Sequence, residues 1–338
     1  MAERSSTNQG ARNGTTGEQE KAVDRAKSVK ERHVARLKAF PNVVGVGVGH
    51  EVVAGKRTDR ISVRVYVRRK VPKTELPSEA VLPDSIDGIP VDVIEDEFWI
   101  HQQPPVTLED HRRPHNFLVG GISIGNFLVG GSGTLGVSVF DNRTGQEMLL
   151  SNWHVLCARE QCQAGEPIIQ PGTGGGDIGT ANDLVARLLR AELTPDVDAA
   201  TAQPSGQRLL FKDVLEIGLV EASSRAALGM SVRKSGRTSG LTAGIVTDVS
   251  ADVDVNGYPN GTQSFRNQIV IEGTGEISVP GDSGSVWVDD ANQVVGLNFA
   301  GSTKRAIANH IDAVLTALDI NLGPGMTVLD WHPRAATL

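Results

Sequence analysis

Cysteine is almost missing from this chain: Cys157 and Cys162 are the only two in 338 residues. That excludes the disulfide framework that staples small secreted domains. It also leaves the Cys-x4-Cys spacing without the second ligand pair a structural zinc site needs. Two free thiols beside a loop are the expected state, with a local disulfide as the alternative. No apolar run approaches the ~18 residues of a membrane-spanning helix. Positive charge is in deficit: 33 Lys and Arg face 40 Asp and Glu, for a net charge of −7. No global basic field therefore draws the protein to nucleic acid or to an anionic membrane. Residues 1–20 are polar and lack the apolar stretch of a secretory signal. The expected location is the cytoplasm. Aromatic residues are scarce too, at 4%.

What the chain does have is glycine, 38 residues of it, beside a hydrophobic fraction of 39%. That combination suits a β-rich protein with many tight turns. Residues 1–19 carry no apolar period and are expected to be disordered. Between Glu20 and Phe40, Val23, Ala26, Val34 and Leu37 recur at helical spacing, and Pro41-Asn42 ends the pattern. Val43–Val48 and the alternating Ile61–Val67 then read as strands, with another over Val91–Ile94. Residues 20–98 are thus expected to form a small α+β domain with one sheet of its own. The glycines at 45, 47 and 49 miss the nucleotide-binding spacing, and no helix follows them.

Pro104, Pro105 and Pro114 mark a linker over residues 99–117. It carries His101, Glu109, Asp110, His111 and His115, in no metal-binding register, so solvated side chains are expected. From residue 118 to 322 short apolar runs alternate with turn signals, which predicts a barrel or sandwich. A helix is expected over Ala306–Leu318, and residues 323–338 form a tail.

Three patterns in the β-rich region carry chemistry. Leu149–Val155 ends an apolar strand on His154, and a strand end both fixes a general base and lets it reach a nucleophile. Asp198 precedes Ala199 and Ala200, which suits a partly buried carboxylate that orients an imidazole. Asp196 is its competitor and reads better as an exposed turn residue. Pro280-Gly281-Asp282-Ser283-Gly284-Ser285 brackets a serine with glycines. They allow a tight turn that frees the amides of Gly281 and Ser283 to face one point, where each donor holds a developing oxyanion by ~3–4 kcal/mol. The motif is not the Gly-x-Ser-x-Gly elbow of α/β-hydrolases, because its fifth residue is Ser285.

The order His154, Asp198, Ser283 and the motifs around each resemble the trypsin-like serine peptidases of chymotrypsin fold. Lys234-Ser235-Gly236-Arg237-Thr238-Ser239-Gly240-Leu241 is similar to the strand-turn-strand opening the second barrel of bacterial members. Gly133-Thr134-Leu135-Gly136 and Leu150-Ser151-Asn152 point within the family to an intracellular branch that includes the plant narrow-leaf peptidases.

The resemblance implies a mostly β fold: a chymotrypsin-like double antiparallel β-barrel over residues 118–322, beside the small N-terminal α+β domain. It implies a serine endopeptidase with His154, Asp198 and Ser283 as triad and Gly281 and Ser283 as oxyanion hole. The strand Val295–Gly301, through Asn298, Phe299 and Ala300, would pair with bound peptide. Ile277, six residues before the nucleophile, would line an apolar side-chain pocket, with Glu276 on the opposite face. No metal or organic cofactor is needed. The partner is a protein or peptide substrate, and assembly into a closed homo-oligomer is one way to restrain such an enzyme. The alternative is a binding or regulatory module on the same fold.

Overall fold

A computed structural model of the chain describes residues 9–53, 55–77, 80–100 and 109–323. Among them, strands assemble into an eleven-stranded, an eight-stranded and a three-stranded sheet. Six strands of the largest sheet close on themselves. In ring order they are Ser231–Gly236, Val286–Val288, Val294–Gly301, Arg305–His310, Gly261–Glu272 and Gly240–Tyr258, which pairs again with the first. Every contact in the ring is antiparallel. Closure removes the free edges that an open sheet would expose. Val246, Ile269, Ile271, Trp287 and Ala308 fill a buried cluster on this barrel.

The eight-stranded sheet forms the other barrel. Its central strands are Val137–Asp141, Glu147–Ser151, Asp198–Pro204 and Leu184–Leu193, in that order. The Gly136 amide donates to Leu150 O at 2.8 Å and brings the far end of the sheet back to the Glu147–Ser151 strand. The chain therefore has the expected mostly β, chymotrypsin-like layout of two antiparallel barrels.

The N-terminal region differs from its sequence reading in two ways. The helix spans Gln9–Lys38, so the stretch expected to be disordered is helical from Gln9 onward, while residues 1–8 lie outside the described residues. The helix buries Ala26, Val29 and Leu37 against Val46, Val48, Val63 and Val65. Nor do residues 43–95 form a sheet of their own. Val43–Val53 pairs with Lys56–Val67 on one edge and with the barrel strand Gly240–Tyr258 on the other. The glycines explain why that second pairing is possible. A Cβ on Gly47 would lie 1.9 Å from Asp248 Oδ2, and one on Gly49 2.3 Å from Thr247 O. Two ion pairs tie the helix to the same barrel strand, Lys30–Asp252 at 3.2 Å and Lys38–Asp254 at 2.6 Å.

Three local expectations also change. His111 is buried rather than solvated, with Nδ1 2.8 Å from Gly121 O and Nε2 3.1 Å from Glu216 Oε2. His101 lies outside the described residues. Residues 305–310 continue the barrel as a strand, so the closing helix is only Ile311–Leu318. Its apolar periodicity was misleading upstream because Ala306 and Ala308 face the barrel core. Cys157 and Cys162 form a disulfide, with Cα atoms 5.4 Å apart, in place of two free thiols.

The seam between the N-terminal strands and the barrel contains a buried carboxylate, Asp248. It accepts from Tyr66 Oη at 3.3 Å and the Ser250 amide at 2.8 Å. Burial pushes its pKa up to about 6, against the pull of Arg64. A folded-state pKa above the unfolded value makes the charge costly: the penalty is absent below about pH 4 and complete above about pH 6. Denaturant unfolding of Asp248→Asn and the parent, compared between pH 4 and 7, should show the variant gaining on the parent as pH rises. The gain should be on the order of 2 kcal/mol and level off above pH 6. A difference independent of pH would contradict the assignment.

Candidate active site

His154 and Asp198 come together because they lie on neighbouring strands. Glu147–Ser151 pairs with Asp198–Pro204 through Ser151↔Ala200. The chain then turns into the short helix Trp153–Leu156, which carries His154 back over the start of the second strand. Asn152 secures this corner by donating to Asp198 O at 2.7 Å. The imidazole Nδ1 lies 2.5 Å from Asp198 Oδ2, and the His154 amide donates to Asp198 Oδ1 at 3.2 Å. A carboxylate accepts, so Nδ1 carries a proton, and in the neutral imidazole Nε2 keeps its lone pair. Nε2 is buried and has no hydrogen-bond partner among the described residues. Asp196 does not compete: it is exposed and pairs with Arg266 at 3.1 Å on the surface.

The Asp198 carboxylate has a third donor. Tyr258, at the tip of the Gly240–Tyr258 strand, gives its hydroxyl to Asp198 Oδ2. Its ring stands edge-on to that of His154, with centroids 5.8 Å apart. Burial and the Asp198 charge push the phenol pKa well up, so it remains a donor throughout the ordinary pH range. Asn309 Oδ1 accepts from the Asp198 amide at 3.0 Å. The dyad of the first barrel is thus held by two residues of the second.

The Ser283 loop is built on a buried ion pair. Lys234 Nζ lies 3.0 Å from Asp282 Oδ2, and both side chains are fully buried. Asp282 also accepts from Ser239 Oγ at 2.6 Å and from the amides of Thr238, Ser239 and Val279, each at 3.0 Å. Burial alone would raise the Asp282 pKa, but the Lys234 ammonium and these donors hold it below the usual carboxylate range. Gly281 has φ +98°, and a Cβ there would meet Thr238 Oγ1 at 2.3 Å. The amides of Asp282, Gly284 and Ser285 bond to Val279 O, Asn298 O and Asp282 O. Those of Gly281 and Ser283 have no partner among the described residues. Ser283 itself is buried, and its hydroxyl donates to Phe299 O at 3.3 Å. No hydrogen bond joins it to His154.

The expected substrate residues divide. Phe299 and Ala300 lie on Val294–Gly301 beside the nucleophile. The Asn298 backbone is bonded to the Ser283 loop: its amide donates to Ser285 O and its carbonyl accepts from the Gly284 amide, each at 2.9 Å. Its side chain is buried and takes Trp287 Nε1 at 3.1 Å, donates to Ser278 Oγ at 3.0 Å and reaches Asp282 O at 3.3 Å, bracing the loop from behind. Ile277 also turns inward, into the cluster of Val232, Val246, Ile271 and Trp287, from a loop and not from a strand. Glu276 is exposed. Sequence reasoning missed Tyr258 altogether. Lys234 sits inside a quoted motif, but its role depends on a contact 48 residues away.

No protein-family model matches the chain, and no curated protein does. Solved structures do. Nocardiopsis protease is 20% identical, matched over 61% of this chain and 99% of its own with a TM-score of 0.46. Thermobifida fusca protease A is 20% identical over 62% and 99%, also with a TM-score of 0.46. Cellulomonas bogoriensis chymotrypsin is 21% identical over 61% and 97%, with a TM-score of 0.44.

Removing the loop's cation should be costly. Lys234→Met leaves Asp282 buried without a counter-charge and should destabilise the fold by ~3–5 kcal/mol in urea unfolding. Lys234→Met combined with Asp282→Asn should recover much of that loss. Equal instability of the single and double variants would show that the charge is not what matters.

Proposed function

We propose that this chain is a serine endopeptidase of the chymotrypsin-like type, with His154, Asp198 and Ser283 as its triad. The observation that supports this reading best is the His154–Asp198 contact at 2.5 Å, with Nε2 left buried and unpaired. A base with a fixed tautomer, no partner and a carboxylate behind it suits proton abstraction. In the reaction, Ser283 Oγ turns from Phe299 O toward His154 and forms a bond to the peptide carbonyl carbon as its proton passes to Nε2. The amides of Gly281 and Ser283 take the oxyanion. His154 returns the proton to the departing amine as the C–N bond breaks, and water then cleaves the acyl-enzyme by the same route. Asp198 stabilises the imidazolium and is itself braced by Tyr258. The intracellular branch suggested by Leu150-Ser151-Asn152 belongs to this same reading.

The hydrogen bond from Ser283 to Phe299 O favours a second reading, a binding module with a latent site. A fluorophosphonate probe distinguishes the two, since it labels only an activated serine. Ser283 should be labelled, and labelling should vanish in Ser283→Ala. Ser283→Ala and His154→Ala should each lower kcat on the order of 10⁶-fold, and Asp198→Asn about 10⁴-fold. An unlabelled but folded parent chain would favour the binding module.

Tyr258→Phe keeps the ring and removes one donor to a carboxylate, a bond worth ~1.5–3 kcal/mol. Expected is a fall in kcat of about tenfold or more, with KM little changed and the pH–rate profile displaced. An unaltered profile would mean that Tyr258 serves packing alone.

A further inference from the structure

The strand Val294–Gly301 has two edges at its C-terminal end. Arg305–His310 holds one, through Ala300↔Ile307 and Gly301↔Ala306. On the other, Val286–Val288 reaches only as far as Leu297. Beyond it lies the edge that a bound peptide would use under the reading above. That edge is filled by the chain itself. Phe98–Ile100 pairs antiparallel with it, through Gly301↔Trp99 and Ala300↔Ile100. Rising numbers on this short strand meet falling numbers on its partner. The next register position is Phe299, whose carbonyl accepts the Ser283 hydroxyl at 3.3 Å. The strand therefore runs in the direction of a substrate approaching the nucleophile.

The strand is also anchored. Its other edge pairs in parallel with the Gly240–Tyr258 strand, through Val255↔Phe98 and Asn256↔Trp99. Phe98 is fully buried, edge-on to Tyr66 with ring centroids 5.3 Å apart. Asp96 forms an ion pair with Arg305, and Glu97 accepts from Arg68 at 2.9 Å and Asn256 at 3.3 Å. A nucleophile loop already held by Lys234 needs no further ordering step, so access to the cleft is where control can act.

We propose that Phe98–Ile100 is an intramolecular occupant of the peptide-binding edge, and that protein substrates must displace it to be cleaved. This rests on the peptidase reading. Binding competence is then reduced by the fraction of molecules whose edge is free. A fluorophosphonate, which needs Ser283 and His154 but no strand pairing, should be far less affected.

The test uses the full chain with two reagents, a fluorophosphonate and fluorescein-labelled casein as an unfolded substrate. Successive amides of a strand face opposite neighbours, so Trp99→Pro and Ile100→Pro are combined. Casein hydrolysis, as kcat/KM, should rise about tenfold or more, while fluorophosphonate labelling of Ser283 stays within about twofold. Asp96→Ala, which loosens the root without touching the strand, should act in the same direction more weakly. Equal casein hydrolysis in parent and folded variants, with Ser283 labelled in all, overturns the proposal. No labelling in any chain overturns the peptidase reading instead. Should the proline variant fail to fold, hydrogen exchange on Ser283→Ala decides. Bound casein should strip protection from residues 98–100, and unchanged protection with casein bound refutes displacement.

Discussion

One strand, Gly240–Tyr258, constrains nearly everything else. Its first residues pair with Ser231–Gly236, and from Ile245 to its end it pairs with Gly261–Glu272, which closes the second barrel. Its middle accepts the glycine-lined face of Val43–Val53. Its end pairs with Phe98–Ile100 and places Tyr258 on Asp198. At 19 residues it is far longer than the usual strand of about 5–6. The excess length is what links the N-terminal strands, Phe98–Ile100 and Asp198 to one barrel strand.

The charges fall into two groups with opposite consequences. Asp282 is fully buried yet held ionised, because an ammonium and four hydrogen bonds surround it. Asp177 is similar. Arg237 grips it through two nitrogens, at 2.9 and 2.7 Å, and Arg112 adds a third contact at 2.7 Å. Arg237 also donates to the carbonyls of Gly174 and Gly175, so this cluster joins a loop of one barrel to the turn beneath the nucleophile of the other. Asp248 is the contrasting case, buried where burial outweighs its donors. The compensated charges sit beneath the Ser283 loop. The poorly compensated one sits at the seam that joins the N-terminal strands to the barrel.

Much of this was legible in the residues, and the limit is physical. Short apolar runs broken by turn signals reveal strands because the side-chain period is local. Gly281-Asp282-Ser283-Gly284 is legible for the same reason: the turn and its free amides are properties of a few adjacent residues. His154 and Asp198 could be ordered but not joined, since their contact depends on strand pairing. Tyr258, Lys234 and Asn309 were out of reach, because each acts across a long gap in sequence through a buried contact. Which way the side chains of Asn298 and Ile277 turn was not legible either, since Trp287 and the Val246 cluster that hold them inward are brought to them only by the fold.

The N-terminal region was misread for a related reason. Alternation in Ile61–Val67 predicts a strand with one buried face, whereas all seven residues are buried, and it does not tell which sheet buries them. The glycines at 45, 47 and 49 held that information, since three small residues on one face imply close approach by another backbone. That backbone proved to belong to the barrel. A region joined to a barrel by strand pairing cannot move without breaking main-chain hydrogen bonds, whereas a tethered domain moves freely. Under the peptidase reading, its route to the cleft is Phe98–Ile100, the segment that pairs with Val294–Gly301.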